Sequence, residues 1–246
     1  LLTYLMKTGE FARTADAEHA VKSGQVIVDG KKVTRIQSFV RNNSKIVIEK
    51  NGKAASAQPV KNAYVIFNKP SGYICQKSTR GEKSIYDLLL GIKELDDRTK
   101  KSLFTVGRLD MDTEGLLIMT NDGSLEKELM NPKKHISKAY IATVSRDPTI
   151  KEKERLMKGV SIKDDDTGRE FFVKALIVKA VGKDRLLITI DEGKKRQIKR
   201  MLAVLGVEVL ALRRVGMGNM RLDKINFGGK IYTISSLAEI RRVVGI

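Results

Sequence analysis

Between residues 107 and 123 the chain reads Gly-Arg-Leu-Asp-Met-Asp-Thr-Glu-Gly-Leu-Leu-Ile-Met-Thr-Asn-Asp-Gly, a glycine-bracketed acidic loop that runs straight into an apolar stretch. Asp110, Asp112 and Glu114 alternate in the loop, and Leu116, Leu117, Ile118 and Met119 follow without a polar residue, which predicts a strand buried on both faces. Carboxylates held at the end of such a strand are costly unless another group compensates, and that is the setting in which proteins keep catalytic acids. A calcium loop is one competing reading, because Asp110, Asp112, Glu114 and Gly115 fall at positions 1, 3, 5 and 6 of that motif. It fails at position 12, where Asn121 replaces the bidentate glutamate, and a strand follows where a helix should. A solvated turn without chemistry is the other reading that the segment alone leaves open.

A second reactive stretch is Glu192-Gly193-Lys194-Lys195-Arg196-Gln197-Ile198-Lys199-Arg200-Met201. Ile198, Met201, Leu202 and Leu205 follow helical spacing and predict one buried face. Lys199 lies at its border, where an ammonium could reach inward and hold Asp110 ionised. Lys194, Lys195, Arg196 and Arg200 complete a cationic cluster, unremarkable on a solvated helix but a phosphate grip beside a nucleotide pocket. Tyr140, in Lys138-Ala139-Tyr140, sits in a strand-like run, where a tyrosine is more often packing than function. Arg213 and Arg214 either extend the basic track or simply lie on the surface. His19 and His135 are too few and too isolated for a metal site, and Cys75 reads as a core or pocket-wall thiol.

These groups need a scaffold. Residues 61–246 alternate strand-like runs (64–67, 115–120, 139–144, 186–190) with apolar helices near 124–130, 150–158 and 195–205. Several connections are short, which predicts an α+β fold: a mixed, largely antiparallel sheet with flanking helices. No phosphate-cradling glycine loop occurs, so neither ATP nor NAD is expected, and no other cofactor is implied. Residues 1–50 read as a small αββ domain with two short helices, the second ending at Ser23-Gly24. A hairpin turns at Asp29-Gly30, and a further strand spans 45–49. Residues 51–60 lack periodicity and read as a linker, with the boundary near residue 55.

Composition narrows the partner. Lys plus Arg number 47 against 29 Asp plus Glu, a net +18 without a basic tail, which favours a polyanion. A basic amphipathic helix with bulky aromatics, the mark of a membrane-surface binder, is missing from the sequence. Nucleic acid is the favoured partner. The single cysteine excludes an intramolecular disulfide and suits a reducing cytoplasm. The opening residues read as a soluble chain without a cleaved leader.

The loop at 107–123 is similar to the signature of the RsuA-type family of pseudouridine synthases, G-R-L-D-x-x-T-x-G-L-L-x-x-T-N-D-G, at every fixed position. The resemblance extends to Asn68-Lys69-Pro70-Ser71-Gly72-Tyr73, to Lys138-Ala139-Tyr140 and to residues 192–201. The first 50 residues resemble the small RNA-binding domain of ribosomal protein S-four through Leu5, Gly9, Arg13, Ala17, Gly24, Val26, Val28 and Gly30. That pattern departs at Ala12 and Asp29, where serine and asparagine are usual, and its beginning looks clipped, because a basic lead-in normally precedes the first helix.

The resemblance implies a monomeric, cofactor-independent enzyme of the pseudouridine synthase fold that isomerises a uridine in structured RNA, expected to be a ribosomal RNA stem-loop. Asp110 would act at the ribose anomeric carbon, Tyr140 would lie against the target base, and Lys199, where arginine is usual, would pair with Asp110. Arg108 would bind phosphate and help to extrude the nucleotide, and Arg13, Lys194, Lys195, Arg196, Gln197 and Arg200 would contact RNA. A non-catalytic RNA-binding ribosome-assembly factor of the same fold is the alternative. RNA cleavage is a weaker one, because paired histidines and a two-metal carboxylate cluster are missing from the sequence.

Overall fold

A computed structural model describes residues 1–41, 43–50, 52–164 and 166–246. The chain divides into two compact units: residues 1–63, 88–104 and 120–122 form the smaller, and the rest the larger. No described helix is long and apolar enough to cross a membrane.

In the smaller unit, α1 (Leu2–Lys7) and α2 (Thr14–Lys22) precede β1 (Val26–Val28), β2 (Lys31–Val33), β3 (Ile46–Lys50) and β4 (Lys53–Ser56). Among the described residues the four strands make one sheet in the order β2-β1-β3-β4, one strand beyond the sequence reading. Leu5, Ala17, Ala20 and Val21 meet Val26, Ile46 and Ile48 in its core. Asp29 (φ +50°) and Gly30 (φ +81°) are both left-handed, as a tight hairpin turn requires. The Asp29 carboxylate is spent within the domain, accepting from Ser44 Oγ at 3.0 Å and from the Lys45 amide at 2.8 Å.

The expected linker is not one. Asn51 lies outside the described residues, but Lys53–Ser56 pairs with β3, and Ala57 is buried in the small core. Small residues without helical or alternating polarity hid an edge strand whose side chains are all exposed. Two helices follow later, α3 (Ile85–Leu90), inside which the division between units falls, and α4 (Asp97–Ser102). From α4, Arg98 donates to Thr8 O (3.0 Å) and Gln58 O (2.7 Å), so this stretch belongs to the smaller unit and not to residues 61–246 as read.

The larger unit is built on a sheet containing, among the described residues, nine strands. They are β5 (Tyr64–Lys69), β6 (Phe104–Thr105), β7 (Thr113–Thr120), β8 (Lys138–Val144), β11 (Ile177–Gly182), β12 (Arg185–Ile190), β13 (Val209–Met217), β14 (Met220–Arg221) and β15 (Tyr232–Ser235). Its main path is β11-β12-β8-β13-β7-β5-β15, with β13 parallel to β7 and antiparallel to β8. The fold is therefore mixed and largely antiparallel, as expected. The remaining strands, β9 (Val160–Lys163) and β10 (Glu170–Val173), form a separate hairpin.

Among the described residues four α-helices flank these strands: α5 (Gly123–Met130), α6 (Ile150–Lys158), α7 (Gln197–Ala203) and α8 (Leu237–Val244). Leu125 and Leu129 of α5 and Ile240 and Val244 of α8 pack against Leu116 and Ile118 of β7. The apolar run after the acidic loop is thus a central strand, buried on both faces.

Candidate active site

The acidic loop is held from beneath by an ammonium. Lys69, at the end of β5, is fully buried, and its Nζ donates to the carbonyls of Pro70 (3.1 Å), Asp110 (3.3 Å), Met111 (3.1 Å) and Thr113 (2.8 Å). Burial lowers the Lys69 pKa, while the charges of Asp112, Glu114 and Asp110 oppose that shift. The Gly72 amide donates to Met111 O at 2.8 Å, and the Leu109 amide donates to Cys75 Sγ at 3.3 Å. The buried Cys75 thiol is pushed up by desolvation, so it stays a neutral wall of the site. The Asn68-Lys69-Pro70 motif thereby gains a role that sequence reading did not assign.

Asp110 is left partly buried beside a cavity of about 600 Å³ whose lining residues all belong to the larger unit. The cavity brings together Arg108, Asp110, Tyr140, Lys194, Lys195, Arg196 and Gln197 from the expected set. One face of the sheet forms its floor. Lys138 and Tyr140 lie two apart on β8, Arg214 of β13 stands opposite Tyr140, and Ile190 of β12 stands opposite Lys138.

Lys199 departs from expectation. Its Nζ pairs with Asp112 at 2.5 Å, and among the described residues Asp110 makes no ion pair. Partial burial works against the Asp112 charge, but the hydrogen bond and charge of Lys199 outweigh it and hold the carboxyl below its ordinary range. Asp112 and Asp110 share one short loop, and spacing alone does not say which carboxylate the helix meets.

Arg200 does not line the cavity either. It pairs with Asp164 at 3.1 Å and is largely buried. Gln197 is buried too, its amide oxygen accepting from the Lys194 backbone and its nitrogen donating to Glu192, so it shapes the 192–197 loop from within. Lys195 pairs with Asp166 at the cavity edge. Arg13, in the smaller unit, is exposed and makes two hydrogen bonds to Asp16.

Arg213 and Arg214 separate cleanly. Arg213 is exposed and reaches Asn68 Oδ1 at 3.2 Å, whereas Arg214 is 2% exposed in the cavity floor. Gly115 makes that placement possible. It has φ +101°, and a Cβ there would fall 2.2 Å from Arg214 O, so only glycine lets β7 and β13 approach at this register.

A partly buried carboxylate, an aromatic ring and several cations around one cavity can receive a nucleotide and act on its sugar. Comparison with known proteins points the same way. A family model described as RNA pseudouridylate synthase matches residues 63–204. An uncharacterized RNA pseudouridine synthase of Aquifex aeolicus is 34% identical over 247 residues, covering 99% of this chain and 94% of its own. The ribosomal large subunit pseudouridine synthase B of Bacillus subtilis is 32% identical over 214 residues, covering 86% of this chain and 83% of its own. A crystal structure of a pseudouridylate synthase matches with a TM-score of 0.64 at 25% identity, each chain 94% covered.

Proposed function

The chain belongs to the RNA pseudouridylate synthase family and isomerises uridine in RNA, and from that premise we propose that Asp110 is the carboxylate that acts at C1′ of the target ribose. The observation that carries this reading is the shared cavity: Asp110 and Tyr140 line one space whose other charged groups among the described residues are all cationic. The uracil is detached from C1′ at N1, turned within the cavity, and rejoined through C5. An ionised carboxylate suits an electron-poor anomeric carbon, and the face of Tyr140 suits a stacked base. Arg108, Lys194, Lys195 and Arg196 hold the flanking phosphates, which keeps the extruded nucleotide in register.

The RNA is ribosomal and the target lies in a stem-loop, a reading supported by the Bacillus subtilis relative and by the lower cost of extruding a base from irregular structure. The enzyme is of the RsuA-type branch and works as a cytoplasmic monomer. Residues 1–50 act as an S-four-type RNA anchor, which the two helices followed by the Asp29-Gly30 hairpin support.

Asp110→Asn is the deciding variant. Pseudouridine formation in ribosomal RNA from cells lacking the protein is expected to vanish, with RNA affinity within several-fold of wild type. Retained turnover overturns the assignment of Asp110.

A further inference from the structure

The cavity lining holds six cationic side chains, Arg108, Lys138, Lys194, Lys195, Arg196 and Arg214, against the single carboxylate of Asp110. They fall into two sets. Arg108, Lys194, Lys195 and Arg196 are exposed and suit phosphates at the mouth, whereas Lys138 and Arg214 are 8% and 2% exposed. Neither buried cation makes an ion pair among the described residues. Lys138 Nζ has only the Ile136 carbonyl at 3.3 Å, and Arg214 uses Nε on Leu116 O at 2.6 Å while its Nη2 is buried without a partner. Both stand on the sheet face that carries Tyr140, Lys138 two residues before it and Arg214 directly opposite.

Two cations buried on one sheet face without an ion pair are expensive, so their presence calls for a ligand that supplies negative charge in the cavity. Phosphate is already served at the mouth. The base itself becomes anionic during the reaction, and fixed donors in a dry site stabilise such developing charge most effectively.

We propose that Lys138 and Arg214 bind the carbonyl oxygens of the target uracil and stabilise the anion formed when its bond to C1′ breaks, an inference that rests on the reading of the cavity given above. In that step the electron pair of the C1′–N1 bond leaves with the base and spreads onto O2 and O4, while the electron-poor C1′ faces Asp110. An electron pair at C5 then forms the C1′–C5 bond, and the proton lost from C5 is balanced by the one gained at N1. Lys138 burial also lowers its pKa, with the Arg214 charge adding to that effect and Asp191 and Glu192 opposing it.

The test uses the full chain and a substrate RNA carrying uridine, 2-thiouridine or 4-thiouridine at the target. Sulfur accepts hydrogen bonds poorly, so it weakens one carbonyl contact at a time. Arg214→Gln and Lys138→Gln are expected to slow single-turnover conversion of the uridine RNA by about 100- to 1000-fold, with RNA affinity within about threefold. Arg214→Lys, which keeps the charge and tests against misfolding, is expected to recover most of the rate. Each Gln variant should also lose the wild-type sensitivity to one thio position. Rates within threefold of wild type, or thio effects that multiply independently of the substitutions, overturn the proposal. If affinity falls in step with rate, the pair grips phosphate and the proposal fails in that way. If Asp110→Asn still converts the uridine RNA, it is the reading of Asp110 that fails.

Discussion

Lys69 and Asp110 divide the work of the acidic loop at the level of single residues. The Lys69 ammonium collects four carbonyls and so fixes where the Asp110 side chain begins, without reaching the cavity itself. Removing it releases the desolvation cost of a buried charge but leaves carbonyls short of donors, so Lys69→Met is expected to lower stability by only about 1–3 kcal/mol. Turnover should suffer more, because a small displacement of a reacting group costs about 100-fold. Single-turnover conversion measured beside denaturant unfolding separates the two effects. Asp112 offers the opposite case. It is held ionised by Lys199 outside the cavity, so Asp112→Asn should leave conversion within about tenfold of wild type where Asp110→Asn abolishes it. Equal losses in both variants would mean that the roles of the two carboxylates have been exchanged.

At the scale of elements, the strands that sequence revealed are those with unbroken apolar runs, such as β7 and β8. β13 escaped notice because Arg213, Arg214 and Gly216 interrupt its pattern, yet it supplies the cavity floor. Its parallel contact with β7 depends on Gly115, and Gly115→Ala is expected to destabilise the fold by about 3 kcal/mol through overlap with Arg214 O and a left-handed backbone. Denaturant unfolding measures this directly. The β9–β10 hairpin escaped notice too, because each of its strands is only four residues long. It steadies the cationic segment: Asp164 pairs with Arg200, Asp166 with Lys195, and the Phe171 ring lies 4.8 Å from Lys194 Nζ.

The Asp164 pair carries a pH signature. The Thr167 amide and hydroxyl, and then the Arg200 guanidinium, hold the Asp164 carboxyl down to about 2, below its ordinary 3.8. A depressed carboxylate stabilises the fold above the ordinary value and loses that contribution as pH falls toward the folded one. Wild-type melting temperature should therefore drop more steeply than that of Asp164→Asn between pH 4 and 2, and parallel curves would remove the carboxylate from the account.

For the whole molecule, motif spacing brought Arg108, Asp110, Tyr140 and residues 194–196 to one cavity, but it did not say which carboxylate Lys199 meets or that Arg214 is buried. Both depend on how β13 and α7 pack beside a loop far away in sequence, with 87 positions separating Asp112 from Lys199. Net charge was legible from the start, and the structure concentrates part of it on Arg108, Lys194, Lys195 and Arg196 at the cavity. If each of these four meets a phosphate, the logarithm of RNA affinity falls against that of salt with a slope of about −2.8 to −3.6, or about 50- to 150-fold weaker binding between 50 and 200 mM salt. Replacing Arg196 by alanine should make that slope shallower by about one, because one fewer counterion is released. A titration series in which wild type and Arg196→Ala run parallel would place Arg196 off the phosphate track, even if the variant binds more weakly. A flat dependence for the wild-type chain would remove phosphate contacts from the recognition altogether.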